Sequence, residues 1–194
     1  MILARHAESE YSSLGLLNGD PTNPVWLTLS GIQQAHALGD ALRDEHLDLC
    51  VITELPRTSE TADIALKGRE VPRLVVPALN DPLYGRFEGA RLEEYRAWAS
   101  VQPSSAVPEP GGESRLAIVE RYFRAFRTLL ARPEETILVV AHSLPLAYAL
   151  GAREGRAPAA RVPLVEYATP YPFTAAELAA AAQLLEEWAA SPTW

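Results

Sequence analysis

The chain has 194 residues, 48% of them apolar and 22% charged, with a formal net charge of -8. That composition is ordinarily globular, long enough to bury roughly 70% of the surface of the unfolded chain, and it excludes the low-complexity and disulfide-stapled classes. The acidic balance argues against a nucleic-acid surface but not against a small anionic substrate, because a few arginines in a cleft outweigh a distant field. The single cysteine, Cys50, sits in the apolar run Leu49-Cys50-Val51-Ile52, which points to a core thiol and a reducing, cytoplasmic setting. No apolar run reaches the ~18 residues of a membrane span, and no basic stretch precedes an apolar one as in a signal peptide.

Met1 to Ala4 reads as a short buried strand, and Glu8 to Pro24 as a long polar loop. Thr28 is a good N-cap for a helix from Leu29 to about Glu45, with Ile32, Ala35, Leu38 and Leu42 on one stripe. Leu49 to Thr53 has the length and continuous apolarity of a strand covered on both faces. Pro56 suits the first turn of a helix running to about Lys67. Arg73 to Val76 is a third strand, Asn80 to Gly89 a turn-rich loop and Arg91 to Ser100 a helix. Val101 to Gly112, with three prolines and two glycines, is irregular. From Ser114 a long amphipathic helix carries Ile118, Tyr122, Phe126 and Leu129 on one face. Thr136 to Ala141 is the clearest strand, leading through His142 into a helix at Leu144 to Leu150. Arg161 to Tyr167 is expected to form the last strand, and Thr174-Ala175-Ala176-Glu177 is a capping box opening an Ala-rich helix.

Strands alternating with helices over short connections predict a three-layer α/β/α fold with a mostly parallel central sheet. The expected organisation is a single domain over 1–194, with a loop or small insertion at about 80–112.

In open α/β sheets, sites gather beyond the carboxyl ends of the strands. Three strand ends carry polar groups: Arg5-His6, Glu54 to Arg57 and His142-Ser143, while Asp81 follows the third strand. A neutral imidazole can attack phosphorus and form a covalent phosphohistidine. Two guanidinium forks match phosphate oxygens. A second histidine adds charge when protonated, and a carboxylic acid can protonate the leaving oxygen and then deprotonate water. One tension is internal to this set. The nucleophile must be neutral, whereas His142 does more when charged, and Arg5 and Arg57 depress the proton affinity of both. Glu54 or another carboxylate is the candidate to restore charge on His142. His36 and His46 lack metal-ligand spacing, and Tyr11, Trp26 and Tyr84 are candidate pocket-lining aromatics.

These residues carry a resemblance. Leu3-Ala4-Arg5-His6-Ala7-Glu8-Ser9 resembles the Arg-His-Gly-Glu-Ser/Thr signature of the histidine phosphatase superfamily, the phosphoglycerate mutase-like family. Leu27-Thr28 with Gly31, Thr53 to Ala62 with Arg57, Leu79 to Gly85 with Glu88-Gly89, Gly111-Gly112-Glu113-Ser114, and Val140-Ala141-His142 resemble its further motifs, in the family's order. The likeness covers residues 2 to about 150. It implies a phosphoglycerate mutase-like fold and His6 as phosphorylated nucleophile. Arg5, Arg57 and His142 would bind phosphate and Asp81 would donate the proton, with no metal and no organic cofactor.

The departures are specific. Ala7 replaces Gly, Ser12 stands where many members place a phosphate-contacting Asn and is assigned that contact, and Asp81 is a methylene shorter than the usual Glu. Pro82 follows the acid where the mutases carry an Arg. The expectation is therefore a metal-independent phosphatase acting on a small phosphorylated metabolite, with no nucleic-acid or membrane partner and oligomeric state open. The alternatives are a phosphoglycerate mutase and a non-catalytic phospho-ligand binding module.

Overall fold

The computed structural model describes all residues, 1–194. Five strands form one sheet in the order β3-β2-β4-β1-β5: β1 (Ile2–Arg5), β2 (Leu49–Ile52), β3 (Arg73–Val75), β4 (Ile137–Ala141) and β5 (Pro170–Pro172). The first four pair in parallel and β5 lies antiparallel against β1. β1, β2 and β4 are buried at every position, which accounts for their unbroken apolar runs. Such strands need cover on both faces.

That cover makes the outer layers. On one side α2 (Leu29–Ala41) and α3 (Pro56–Ala65) lie over Ile2, Ala4, Cys50, Ile52, Leu138 and Val140. On the other, α5 (Arg115–Leu130), α6 (Ser143–Arg153) and α7 (Ala175–Ala190) cover Leu3, Leu49, Val51, Ile137 and Val139. Alternate residues of each strand thus feed alternate cores, as the two-residue period of a strand requires. The caps are those expected from local chemistry. Thr28 accepts from Gly31 N, Ser114 from Ala117 N and Thr174 from Glu177 N, the last with a reciprocal capping box. No helix is long and apolar enough to cross a membrane.

Two expectations are corrected. Arg161 to Tyr167 is not a strand. Only Tyr167 bridges to Arg5, and the last strand is Pro170–Pro172. The segment carries Pro163 and hangs instead on side chains, with Arg96 donating to Val162 O and Ser143 Oγ accepting from Val165 N; proline at an edge removes a ladder donor. The polar loop after His6 also contains a short helix, α1 (Glu10–Ser13), which Ser9 opens.

Between β3 and α5 the chain makes two short 3-10 turns, Pro77–Leu79 and Gly85–Phe87, and helix α4 (Leu92–Ala99). Tyr84, Tyr95 and Ala99 from this stretch form a small separate cluster with Leu17. Leu17, Tyr84 and Tyr95 line one cavity with Arg5, at the carboxyl end of β1.

Candidate active site

The register Arg5↔Ala141, extended by His6 N donating to Ala141 O at 2.8 Å, sets His6 beside His142, with ring centroids 5.3 Å apart. Arg57 arrives from the next strand end as the second residue of α3, after Pro56. All three are essentially inaccessible: 3% exposed for His6 and Arg57 and 0% for His142. Asp81 enters from the loop after β3 with 18% of its side chain exposed.

Arg57 is the hub. Its Nε donates to His6 Nε2 at 3.1 Å, Nη1 to Asn18 Oδ1 at 2.7 Å, and Nη2 to Asn18 O at 2.8 Å and Asp81 Oδ2 at 3.0 Å. Nη2 also faces His142 Nδ1 at 3.3 Å. The His6 tautomer follows from its other nitrogen. Nδ1 lies 2.7 Å from Ala7 O, a pure acceptor, so Nδ1 carries the proton and the Nε2 lone pair faces the guanidinium. Ala7 N in turn donates to Thr61 Oγ1 at 3.0 Å. Among non-glycine residues only Ala168 has a positive φ, so Ala7 sits where a side chain costs nothing.

Both histidines are pushed well below the ordinary imidazole range. Burial is the largest cause, followed by the Arg57 charge, with Arg5 adding to it at His6. The tension in the set resolves toward neutral imidazoles. His142 Nε2 pairs with Thr53 Oγ1 at 2.9 Å, and the carboxylate nearest its Nδ1 is Asp81, at 3.6 Å. Glu54 does not serve it. That side chain turns outward and accepts from Asn80 Nδ2 at 2.8 Å.

Burial raises the Asp81 carboxyl above its usual range, outweighing the opposing pull of Arg57, Arg5 and Arg121. The loop that carries it is tied down from three directions. Arg121 donates to the carbonyls of Ala78, Asn80 and Asp81, Tyr122 Oη to Asn80 O, and Glu113 accepts from Leu83 N. Gly19 presses on the same loop so closely that a Cβ there would lie 1.6 Å from Pro82 O.

Arg5 points to Val165 O at 2.7 Å and stacks on the Tyr167 ring at 3.7 Å, while its buried Nε has no partner. Arg5, His6, Arg57 and Asp81 share the wall of one cavity of about 120 Å³ with Ser12. Ser12 Oγ is already engaged within its own turn, accepting from Ser9 N and facing Ser9 O. Tyr11 and Tyr84 line the cavity too, whereas Trp26 lies elsewhere, half exposed. No three His, Cys, Asp or Glu side chains gather into a metal-binding cluster.

Sequence reasoning passed over Asn18, Tyr95, Arg115 and Tyr167. Asn18 and Tyr167 each sit against one of the arginines of the site, and their loops carry no periodicity that would mark them. Arg115 opens an amphipathic helix and reads there as a solvated charge.

A model of the histidine phosphatase superfamily (branch 1) matches residues 1–169. The chain belongs to the histidine phosphatase superfamily. Adenosylcobalamin/alpha-ribazole phosphatase of Salmonella typhimurium is 34% identical over 149 residues, 72% of each chain. The 2,3-bisphosphoglycerate-dependent phosphoglycerate mutase of Methylobacterium sp. is 35% identical over 158 residues, 73% of this chain and 74% of the mutase. The crystal structure of the alpha-ribazole phosphatase from Shigella flexneri superposes with a TM-score of 0.65 at 29% identity, covering 77% of both chains. As a histidine phosphatase the chain is an enzyme, and its phosphoglycerate mutase-like α/β fold is that of the superfamily.

Proposed function

We propose that this enzyme is a phosphatase that hydrolyses a small phosphomonoester through a phosphohistidine on His6, without a metal. The observation that carries the reading is the fixed tautomer of His6. With Nδ1–H bound to Ala7 O, Nε2 presents its lone pair to the Arg57 fork where a phosphoryl group would be held. In the first step Nε2 attacks phosphorus, the bond to the leaving oxygen breaks, and Asp81, whose carboxyl burial raises above its usual range, gives that oxygen its proton. In the second, the Asp81 carboxylate takes a proton from water, whose oxygen attacks phosphorus and frees His6 and inorganic phosphate. Arg5 and Arg57 hold the equatorial oxygens, and Ser12 lies on the same wall. His142 joins from behind Arg57, and Asp81 at 3.6 Å offsets its charge once it takes up a proton.

Mixing the enzyme with labelled substrate and quenching should trap acid-labile, alkali-stable phosphate on the wild type and none on His6→Ala. Equal turnover by the two proteins would refute the reading. Turnover unaffected by a chelator is expected in the same assay.

A second reading, phosphoglycerate mutase chemistry, is favoured by the 35% identity to the Methylobacterium mutase. Pro82 in place of an arginine weighs against it. Interconversion of 2- and 3-phosphoglycerate primed by a bisphosphorylated ester separates the two. The reading includes a reducing, cytoplasmic setting, supported by a lone buried cysteine whose thiol burial pushes up to about 12.

A further inference from the structure

Four arginines line the cavity: Arg5, Arg57, Arg96 and Arg115. Arg57 is paired with Asp81 and Arg96 with Glu93, each with a carboxylate near 3 Å. Arg5 stands beside His6 and has a phosphoryl group to meet. Arg115 has no such explanation. It is 8% exposed, makes no salt bridge, and its Nε has no hydrogen-bond partner. Its only polar contacts are two neutral phenols, Tyr148 Oη at 3.2 Å from Nη1 and Tyr95 Oη at 3.4 Å from Nη2. A buried ion without a counter-charge costs several kcal/mol. Its position adds to that cost, because Arg115 is the first residue of α5, where the helix dipole disfavours cations and favours anions.

We propose that Arg115, with the Tyr95 hydroxyl, is a second anion subsite, so that the preferred substrate is a phosphomonoester bearing a further oxyanion. This rests on the phosphatase reading and deepens it. The phosphoryl group sits on Arg5 and Arg57, the second oxyanion on Arg115, and the aromatic wall between them packs on the connecting carbons. The acid loop carries no basic residue beside Asp81, since Pro82 follows it, so the second charge is read from the start of α5 instead. A carboxylate and a second phosphate offer the same chemistry to a guanidinium, and matched substrates tell them apart.

The test compares kcat/KM within pairs differing in one anionic group: O-phosphoserine with phosphoethanolamine for the carboxylate, fructose 1,6-bisphosphate with fructose 6-phosphate for the phosphate. The wild type should favour the doubly anionic member of at least one pair by about tenfold or more, the size of a charge-assisted hydrogen bond. Arg115→Met should bring that ratio close to one, and Arg115→Lys should keep part of it. A ratio taken within one preparation does not depend on the fraction of the variant that folds. A wild-type ratio near one for both pairs, or a ratio unmoved in Arg115→Met, would overturn the proposal.

A wild-type measurement covers a variant that fails to fold. Phosphonoacetate or methylenebisphosphonate should inhibit para-nitrophenyl phosphate hydrolysis at least tenfold more tightly than methylphosphonate, and equal inhibition by all three would again overturn the subsite. Should no phosphate ester turn over at all, the hydrolase reading fails separately. Calorimetric binding of the same three phosphonates then decides the subsite by the same preference.

Discussion

At the scale of single residues the site is an arrangement of hydrogen-bond donors around one lone pair. Arg57 contacts His6, Asn18, Asp81 and His142 at once, and only a planar fork with several fixed N–H vectors can do that. Arg57→Lys keeps the charge and loses at least two of these bonds. At about 1.5–3 kcal/mol for each hydrogen bond to a charged group, kcat/KM should fall by roughly hundredfold or more. Steady-state kinetics on para-nitrophenyl phosphate measures it, and a loss below tenfold would mean the charge alone suffices.

The histidines make a second prediction. Both are held below the ordinary imidazole range in the folded protein, so below pH ~6.5 the unfolded chain binds protons that the folded chain refuses. Stability therefore declines as pH falls from about 6.5. His142→Gln, which removes one such group, should flatten the fall of the urea midpoint between pH 7 and pH 5. A slope as steep as the wild type's would show that His142 is not held neutral by the fold.

At the scale of elements, catalysis depends on how the loop carrying Asp81 is clamped between Gly19, α5 and Glu113. Gly19→Ala puts a methyl where the Pro82 carbonyl stands, and backbone cannot rotate out of the way as a side chain can. The loop must shift, at about 1–3 kcal/mol of stability. Because the shift moves the carboxyl of Asp81, kcat should drop more than KM rises. Thermal unfolding and steady-state kinetics on one preparation check both halves. A variant as stable and active as the wild type would show that the clamp is looser than the geometry states.

Across the whole molecule, two apolar cores hold the sheet, and the site occupies only the rim of its parallel strand ends. Stability and chemistry should therefore separate. Phe126 is 1% exposed in the core beneath α5 and does not line the cavity. Phe126→Ala should cost about 3–5 kcal/mol in urea unfolding, while KM for the folded enzyme stays at the wild-type value. A changed KM would mean that the α5 core sets the geometry of the cavity above it.

The sequence determined much of this protein on its own terms. Continuous apolar runs at β1, β2 and β4 admit only strands covered on both faces, and Thr28, Ser114 and Thr174 mark helix starts through local hydrogen bonds, with no need of distant partners. Polar groups at three strand ends announce a site because parallel strands bring such ends to one rim. Elsewhere the local signal failed. Arg161 to Tyr167 has the composition of a strand yet lies off the sheet, held by Arg96 and Ser143, and β5 is a three-residue strand with prolines at both ends. Tertiary structure alone decided the protonation of His6 and His142, because burial and the arginine field are properties of the folded interior. It also decided which carboxylate stands by His142, and it left Arg115 buried without a counter-ion. Neither is written in periodicity or spacing, since each depends on which distant side chains share one small volume.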